Sequence, residues 1–238
     1  MRVAAIGDIH GNLPALEAVL VELEHEQVDR VLVAGDTISG PWPAESFDLV
    51  ARLGAEVVRG NADREVVERS DRFGALAPWC ADRLGDERLA AAASWPLTRE
   101  LDVDGLGRVL VCHSTPESDE PIYTQLTPED ELLALFHGVD ADVVICGHTH
   151  MQYDRRLSGG PRIVNPGSVG LPYEGAPGAY WALVGPDVEL RRTEYDVDGA
   201  AAAIRETGAP VDERLLSHLL DPPGSEEAAG YFESVRGA

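Results

Sequence analysis

The sequence predicts an α/β fold, and two features carry that prediction. Short runs rich in Val and Ile recur through the first 150 residues, each ending at Gly, Asp, Asn or His, and helical patterns separate them. Strand–helix–strand alternation of this kind places largely parallel strands at the centre of a sheet. Beyond residue 150 the chain turns strand-rich, which predicts an antiparallel or mixed sheet completing the same domain.

The first run is "RVAAI" (2–6), short and apolar as a buried strand requires. "LPALEAVLVELEHEQ" (13–27) follows, with Leu13, Leu16, Leu20 and Leu23 at helical spacing, Asn12 as N-cap and Pro14 in the first turn. "RVLVA" (30–34) is the second strand, residues 44–53 a second helix and "EVVR" (56–59) a third strand. Residues 63–94 are expected to be mostly helical. "RVLVC" (108–112) and "DVVIC" (142–146) are further strands, and between them "TPED" starts a helix over 128–137. "QYDRRL", "RIVN", "AYWALVG" and "VELRRTEY" then read as strands, and residues 198–220 as two short helices. The tail from Asp221 is a short terminal helix or a partly disordered segment. The expected division is a main domain over 1–197 and a helical extension over 198–238, packed on that domain or on a partner subunit.

Bulk composition narrows the function. The 238 residues suffice for one large domain or two small ones, and 44% of them are hydrophobic. No apolar run approaches a membrane span, and "MRVAAIGDIH" reads as a strand, not a signal peptide, so cytoplasm is expected. Cys80, Cys112 and Cys146 make neither a disulfide framework nor a CxxC zinc site, and the latter two sit in apolar runs as core residues. The net charge is −23, and all 19 basic residues are Arg. So acidic a chain lacks the basic face that a nucleic-acid backbone needs, and it repels anionic substrates at long range. An anionic substrate therefore demands a strong local positive centre.

The ends of the strands supply the donors for one. Asp8 and His10 follow the first, Asp36 the second, Asn61 the third, His113 the fourth of the runs named, and His148 and His150 the last. Open α/β sheets place their sites at this carboxyl edge. Taken singly, an Asp after a strand is a cap and a His is a structural hydrogen-bonding group. His25, His137 and His218 fall in predicted helices and take that reading. Four histidines, two aspartates and an asparagine at five strand ends are not explained as caps. Imidazole and carboxylate donors without sulfur suit Mn, Fe, Zn, Co or Ni. Seven donors exceed one tetrahedral ion, and two divalent ions roughly 3.5–4 Å apart sharing a carboxylate fit better.

"GDIHGN", the "GD" at 35–36, the "GN" at 60–61, His113 and the "GHTH" at 147–150 resemble, in order and spacing, the motifs of the calcineurin-like metallophosphoesterases. "NPGSVGLPYEG" (165–175) is similar to a stretch of their small prokaryotic phosphodiesterase branch. The resemblance spans residues 1 to about 195. It implies a four-layer αββα sandwich of two mixed β-sheets flanked by helices. It also implies that Asp8, His10 and His150 hold one metal, that Asn61, His113 and His148 hold the second, and that Asp36 and a water or hydroxide bridge them. Two divalent ions outweigh these carboxylates and a hydroxide, so the centre stays net positive and can hold a phosphate ester. Mn is favoured for activity, and Asp36, Asn61 and His113 are the expected catalytic residues. Asn61 can give a lone pair to metal and keep an N–H for a phosphate oxygen.

Two departures from the family pattern matter. "GDTISG" lacks the Asp-Arg pair that follows this motif in Ser/Thr protein phosphatases and dinucleoside-tetraphosphate hydrolases. Many relatives carry His directly after the motif Asn, where it protonates the leaving group, and here that residue is Ala62. Losing such an acid removes about 10²–10⁴-fold for poor leaving groups. Asp63 is either a substitute acid or a cap for a helix from Arg64. The expectation is therefore a phosphodiesterase acting on a small phosphodiester or nucleotide by attack of a metal-bound hydroxide. A broad phosphomonoesterase and a non-catalytic scaffold, as in a retromer subunit that has lost its ligands, are the alternatives. Expected substrate contacts are Asn12, Asn61, Ser114 and Tyr173, with the polar loop 113–128 over the site. The expected partners are a small phosphorylated substrate and a second copy of the chain, with no nucleic acid and no membrane.

Overall fold

The computed structural model describes residues 1–72 and 74–236, so positions 73, 237 and 238 of the helical and tail expectations lie outside the described residues. Two five-stranded sheets face each other. The first has the order β10-β9-β1-β2-β3, from β1 (Val3–Ile6), β2 (Arg30–Val33), β3 (Glu56–Val57), β9 (Ala179–Val184) and β10 (Val188–Thr193). The second has the order β4-β5-β6-β8-β7, from β4 (Thr98–Val103), β5 (Gly107–Cys112), β6 (Val143–Ile145), β7 (Gln152–Arg156) and β8 (Arg162–Pro166). β1, β2 and β3 pair in parallel, as do β5, β6 and β8, while β4, β7, β9 and β10 add antiparallel edges.

Alternation along each strand builds the layers. Val3 and Ala5 of β1 face Val109, Val111, Val143 and Ile145 of the second sheet. Ala4 and Ile6 face the other way, onto Leu16, Val19 and Leu23 of α1 (Leu13–Glu26). Beyond the second sheet, Leu110 and Val144 pack on Leu132 of α5 (Glu129–Leu135) and on Phe136. The result is the four-layer αββα sandwich. Each fully buried Val, Leu or Ile contributes roughly 1.5–3 kcal/mol, and the shared layer between the sheets holds the strand ends in register.

Four features depart from the sequence expectation. The strands after residue 150 do not form one sheet: β7 and β8 complete the second, β9 and β10 the first. β4 was not read from "TRELDV", whose edge position leaves most of it exposed. Residues 63–94 are broken into α3 (Asn61–Val67) and α4 (Leu76–Ala93), and α3 starts three residues before Arg64. "TPED" does not cap α5, because Pro128 holds the N-cap position and the Thr127 hydroxyl donates to Glu233.

The remaining helices are α2 (Pro43–Arg52), α6 (Val197–Thr207), α7 (Glu213–Leu220) and α8 (Ser225–Val235). Ile204, Leu216 and Leu219 of α6 and α7 share a cluster with Trp42, before α2. Ala228 and Ala229 of α8 meet Met151 and Tyr173, and Glu233 accepts a 2.8 Å hydrogen bond from Thr124. Cys80, Cys112 and Cys146 are free and buried, and burial pushes their thiols up, Cys80 to about 12 and Cys146 to about 11. Among the described residues no helix is long and apolar enough to cross a membrane.

Candidate metal centre

Asp8, His10, Asp36, His148 and His150 all adopt positive φ, between 47° and 73°. The only other non-glycine residues that do so among those described are Gln27 and Arg69, at the ends of α1 and α3. A left-handed backbone costs about 1–3 kcal/mol at each non-glycine position and persists where the surroundings impose it. Here they do: Asp8 N–H donates to Gly35 C=O, His10 N–H to Asp36 C=O, and Gly170 N–H to Asp8 C=O. The amide of His148 donates to both Asp8 carboxylate oxygens at 3.1 Å. The loops after β1, β2 and β6 are thus tied to one another rather than to their own strands.

Gly60, before Asn61, lets the β3–α3 turn approach Asp36, because a Cβ there would lie 2.0 Å from the Asp36 Oδ1. Gly60→Ala should therefore cost about 1–3 kcal/mol of stability, the usual cost of overpacking. A urea unfolding midpoint equal to wild type would show that the turn yields freely.

Four of the expected ligands converge tightly. One donor atom each from Asp8, His10, Asp36 and His150 lies within 4.8 Å of the others. His10 Nε2 is 3.0 Å from His150 Nε2 and 3.6 Å from Asp36 Oδ2, and His150 Nε2 is 3.4 Å from Asp8. The Nδ1–H of His150 donates to the Leu171 carbonyl at 2.8 Å, which leaves Nε2 as the lone-pair nitrogen of the neutral ring. Two such nitrogens at this distance repel unless a proton or cation lies between them. Nitrogens bound to one ion at ~2.1 Å and a right angle lie ~3.0 Å apart. The donor set therefore fits a divalent ion.

The other three expected ligands lie alongside. His113 Nε2 is 3.5 Å from Asp36 Oδ2 and 3.0 Å from Asn61 Oδ1, and its Nδ1–H donates to Ala34 C=O at 2.7 Å. The His148 ring lies 5.0 Å from the His113 ring. It is turned the other way round, because its Nε2–H donates to Glu120 C=O and leaves Nδ1 as the lone-pair nitrogen. Burial would raise the Asp8 carboxyl, but the His150, His113 and His10 rings outweigh it and hold it at about 2. Burial lowers His10 despite the attraction of Asp36, and burial together with His113 pushes His148 down to about 4. His113 moves up, because Asp36 and Asp8 overcome the effect of its burial. His10 and His148 are thus neutral near pH 7 and offer lone pairs to a cation.

The expected substrate contacts fare differently. Among the described residues the Asn61 amide N–H groups have no protein partner, and Asn61 lines the cavity. Tyr173 reaches the centre indirectly, by stacking on His150 with centroids 5.1 Å apart. Asn12 lines the cavity, and its side chain is engaged within the fold: its Oδ1 accepts the Ala15 N–H at the start of α1, and its Nδ2 donates to Gly170 C=O and the Tyr195 hydroxyl. The Ser114 hydroxyl donates to Pro121 C=O inside the loop. Asp63 is fully buried and accepts from the amides of Thr37, Ile38 and Gly60, so it is a brace between two loops and not an exposed acid. Its carboxyl is raised to about 7 by burial and by Asp36. Sequence reasoning missed Asp119, a buried carboxylate bound by Arg59 and Arg64 that anchors the 113–128 loop. The acidic run "ESDE" was its only signal.

Comparison with known proteins agrees with this geometry. Residues 1–185 match the calcineurin-like phosphoesterase superfamily domain. The chain is 28% identical over 240 residues to the uncharacterized protein MJ0912 of Methanocaldococcus jannaschii, covering 90% of this chain and 97% of that one. It is 27% identical over 194 residues to the phosphodiesterase YfcE of Escherichia coli K12, covering 77% and 87% respectively. A metallophosphoesterase crystal structure from Sphaerobacter thermophilus superposes with a TM-score of 0.74 at 30% identity, over 92% of this chain and 98% of that one. The convergence of Asp8, His10, Asp36 and His150 at the strand ends, and a domain match over most of the length, lead to one assignment: this chain belongs to the calcineurin-like phosphoesterase superfamily.

Proposed function

We propose that the protein is a dinuclear-metal-dependent phosphodiesterase acting on a small phosphodiester. The observation that carries this reading is the pairing of a complete donor set with Ala62, where an imidazole acid is missing. A diester whose leaving group departs without a proton needs no such acid, whereas an alkyl phosphomonoester does. The name of the Escherichia coli relative points the same way.

Asp8, His10 and His150 would hold one ion, Asn61, His113 and His148 the other, and Asp36 would touch both. When bound, the metals would supply an activated water and neutralise charge on the phosphoryl group. The chain's own residues do the positioning. The carbonyls of Ala34, Leu171 and Glu120 fix the histidine tautomers. The amide of Asn61 donates to a phosphoryl oxygen and orients it. The three buried thiols stay protonated and are poor nucleophiles. Three unpaired thiols also suit a reducing cytoplasm.

Turnover of an aryl phosphodiester and of an alkyl phosphomonoester with added Mn²⁺ tests the reading, with metal content measured on the same sample. The diester should be the faster substrate. Faster monoester hydrolysis would overturn it, and protein with no bound metal and no Mn²⁺ activation would be a scaffold instead.

A further inference from the structure

A cavity of about 220 Å³ opens beside His10 and Asn61. Most of its wall surface is apolar, and α4 and the segment from α6 to α7 supply its large aliphatic side chains. Leu76 and Ala77 stand on one side, and Ile204, Val211, Leu215 and Leu219 on the other. Ile204 and Leu219 are each 2% exposed and belong to the cluster with Trp42, whereas Val211 and Leu215 are only half-buried. The helices after β10 thus present apolar side chains to the edge of the donor cluster.

Packed interiors hold few voids larger than a water, and apolar cavities of roughly 150 Å³ stay dry and take benzene-sized guests. This one has room for on the order of seven waters. Glu65, 7% exposed, is the only carboxylate on its wall among the described residues; its Oε1 lies 3.8 Å from Arg64 and 4.0 Å from Arg72, and neither arginine lines the cavity. With no arginine on the wall among the described residues and a net charge of −23 on the chain, a second anionic group is disfavoured there. His10 and Asn61 line the same cavity, so a phosphoryl group held at them would have an esterifying group at its mouth.

We propose that the cavity is the subsite for one esterifying group of the substrate, and that this group is an uncharged, apolar alkyl or aryl substituent. The proposal rests on the phosphodiesterase reading for its substrate. The C-terminal helices then act as the specificity wall of the site, with Leu215 as the determining side chain. Methylphosphonate, hexylphosphonate and benzylphosphonate serve as probes, with 3-phosphonopropionate as the charged-tail control.

Binding of the four probes is measured by calorimetry on metal-loaded protein, and their inhibition of aryl diester turnover in parallel. Each buried methylene is worth roughly fourfold in affinity, so hexylphosphonate and benzylphosphonate should bind at least about thirtyfold tighter than methylphosphonate. The charged tail should gain nothing. Leu215→Asp should collapse the gain for hexyl over methyl. Ala77→Phe, which fills the cavity from α4, should collapse it as well and covers the case in which Leu215→Asp fails to fold. A flat series in wild type, or a gain retained in either folded variant, would overturn the proposal. Because calorimetry needs no turnover, a chain-length gain without diester hydrolysis would retire the phosphodiesterase reading alone.

Discussion

Asp36→Asn is expected to abolish metal-dependent hydrolysis while leaving the protein folded. Asp36 is 3% exposed, and its Oδ2 lies 3.6 Å from His10 Nε2 and 3.5 Å from His113 Nε2. It is the carboxylate that reaches both halves of the donor set. Its Oδ1 accepts the Ala62 amide at 2.8 Å, and an asparagine oxygen can keep that bond. The substitution therefore removes charge and metal affinity without removing shape. Metal-assisted stabilisation of a phosphoryl transition state is worth several kcal/mol, so kcat/KM should fall by about a thousandfold or more. Stability provides the second readout. Metal at about 100 times its Kd stabilises by ~2.7 kcal/mol, a rise of roughly 5–10 °C for a chain of this size. Wild type should show that rise and the variant should not.

The metal-free comparison has a sign that must be worked out. His113 is raised by Asp36, so their attraction stabilises the fold at low pH and is lost as pH rises through the folded-state titration of His113. In EDTA at alkaline pH the ring is neutral, and the variant, with one buried charge fewer, should melt at or above wild type. A variant retaining a tenth of the activity, or one that melts far below wild type under those conditions, would show that Asp36 serves the fold rather than the metals.

The donors were legible because each follows a short apolar run, and β-branched runs ending in Gly-Asp, Gly-Asn or Gly-His are local patterns. The layered core was legible for the same reason, since alternation along "RVAAI" divides inward from outward residues. What escaped depends on distant pairings. Ser114 looks like a donor until its hydroxyl is found on Pro121 C=O, and Asn12 until Gly170 and Tyr195 claim its amide. Asp63 reads as a cap or an acid in sequence; it does cap α3 by accepting the Gly60 amide, but the Thr37 and Ile38 amides that also occupy it come from another loop. The left-handed backbone at five donor positions is equally invisible locally, because neither Asp nor His prefers it as glycine does. It is imposed by bonds between loops that meet only after the sheets close. The apolar cavity belongs to the same class, since its walls come from residues more than a hundred positions apart in the chain.

Ala62→His is expected to convert the leaving-group requirement of the enzyme. Ala62 is the second residue of α3, is half-exposed and lines the cavity mouth next to Asn61. A side chain there has room to grow towards an esterified oxygen, and the backbone amide that binds Asp36 is unaffected. Alkyl phosphomonoester turnover should rise by about a hundredfold, the lower end of what a positioned general acid supplies. Aryl phosphomonoesters with acidic phenols leave without a proton and should change little. The N-terminus of α3 disfavours an imidazolium, so the gain should grow as pH falls towards the new residue's titration. The same ring partly fills the cavity mouth, and diesters with large apolar substituents should therefore bind less well. Equal gains on alkyl and aryl monoesters would mean that the histidine acts through the metals and not as an acid. No gain on alkyl esters would mean that another group already delivers the proton. Asp63 is excluded from that role by the three amides that hold its carboxylate inside the fold.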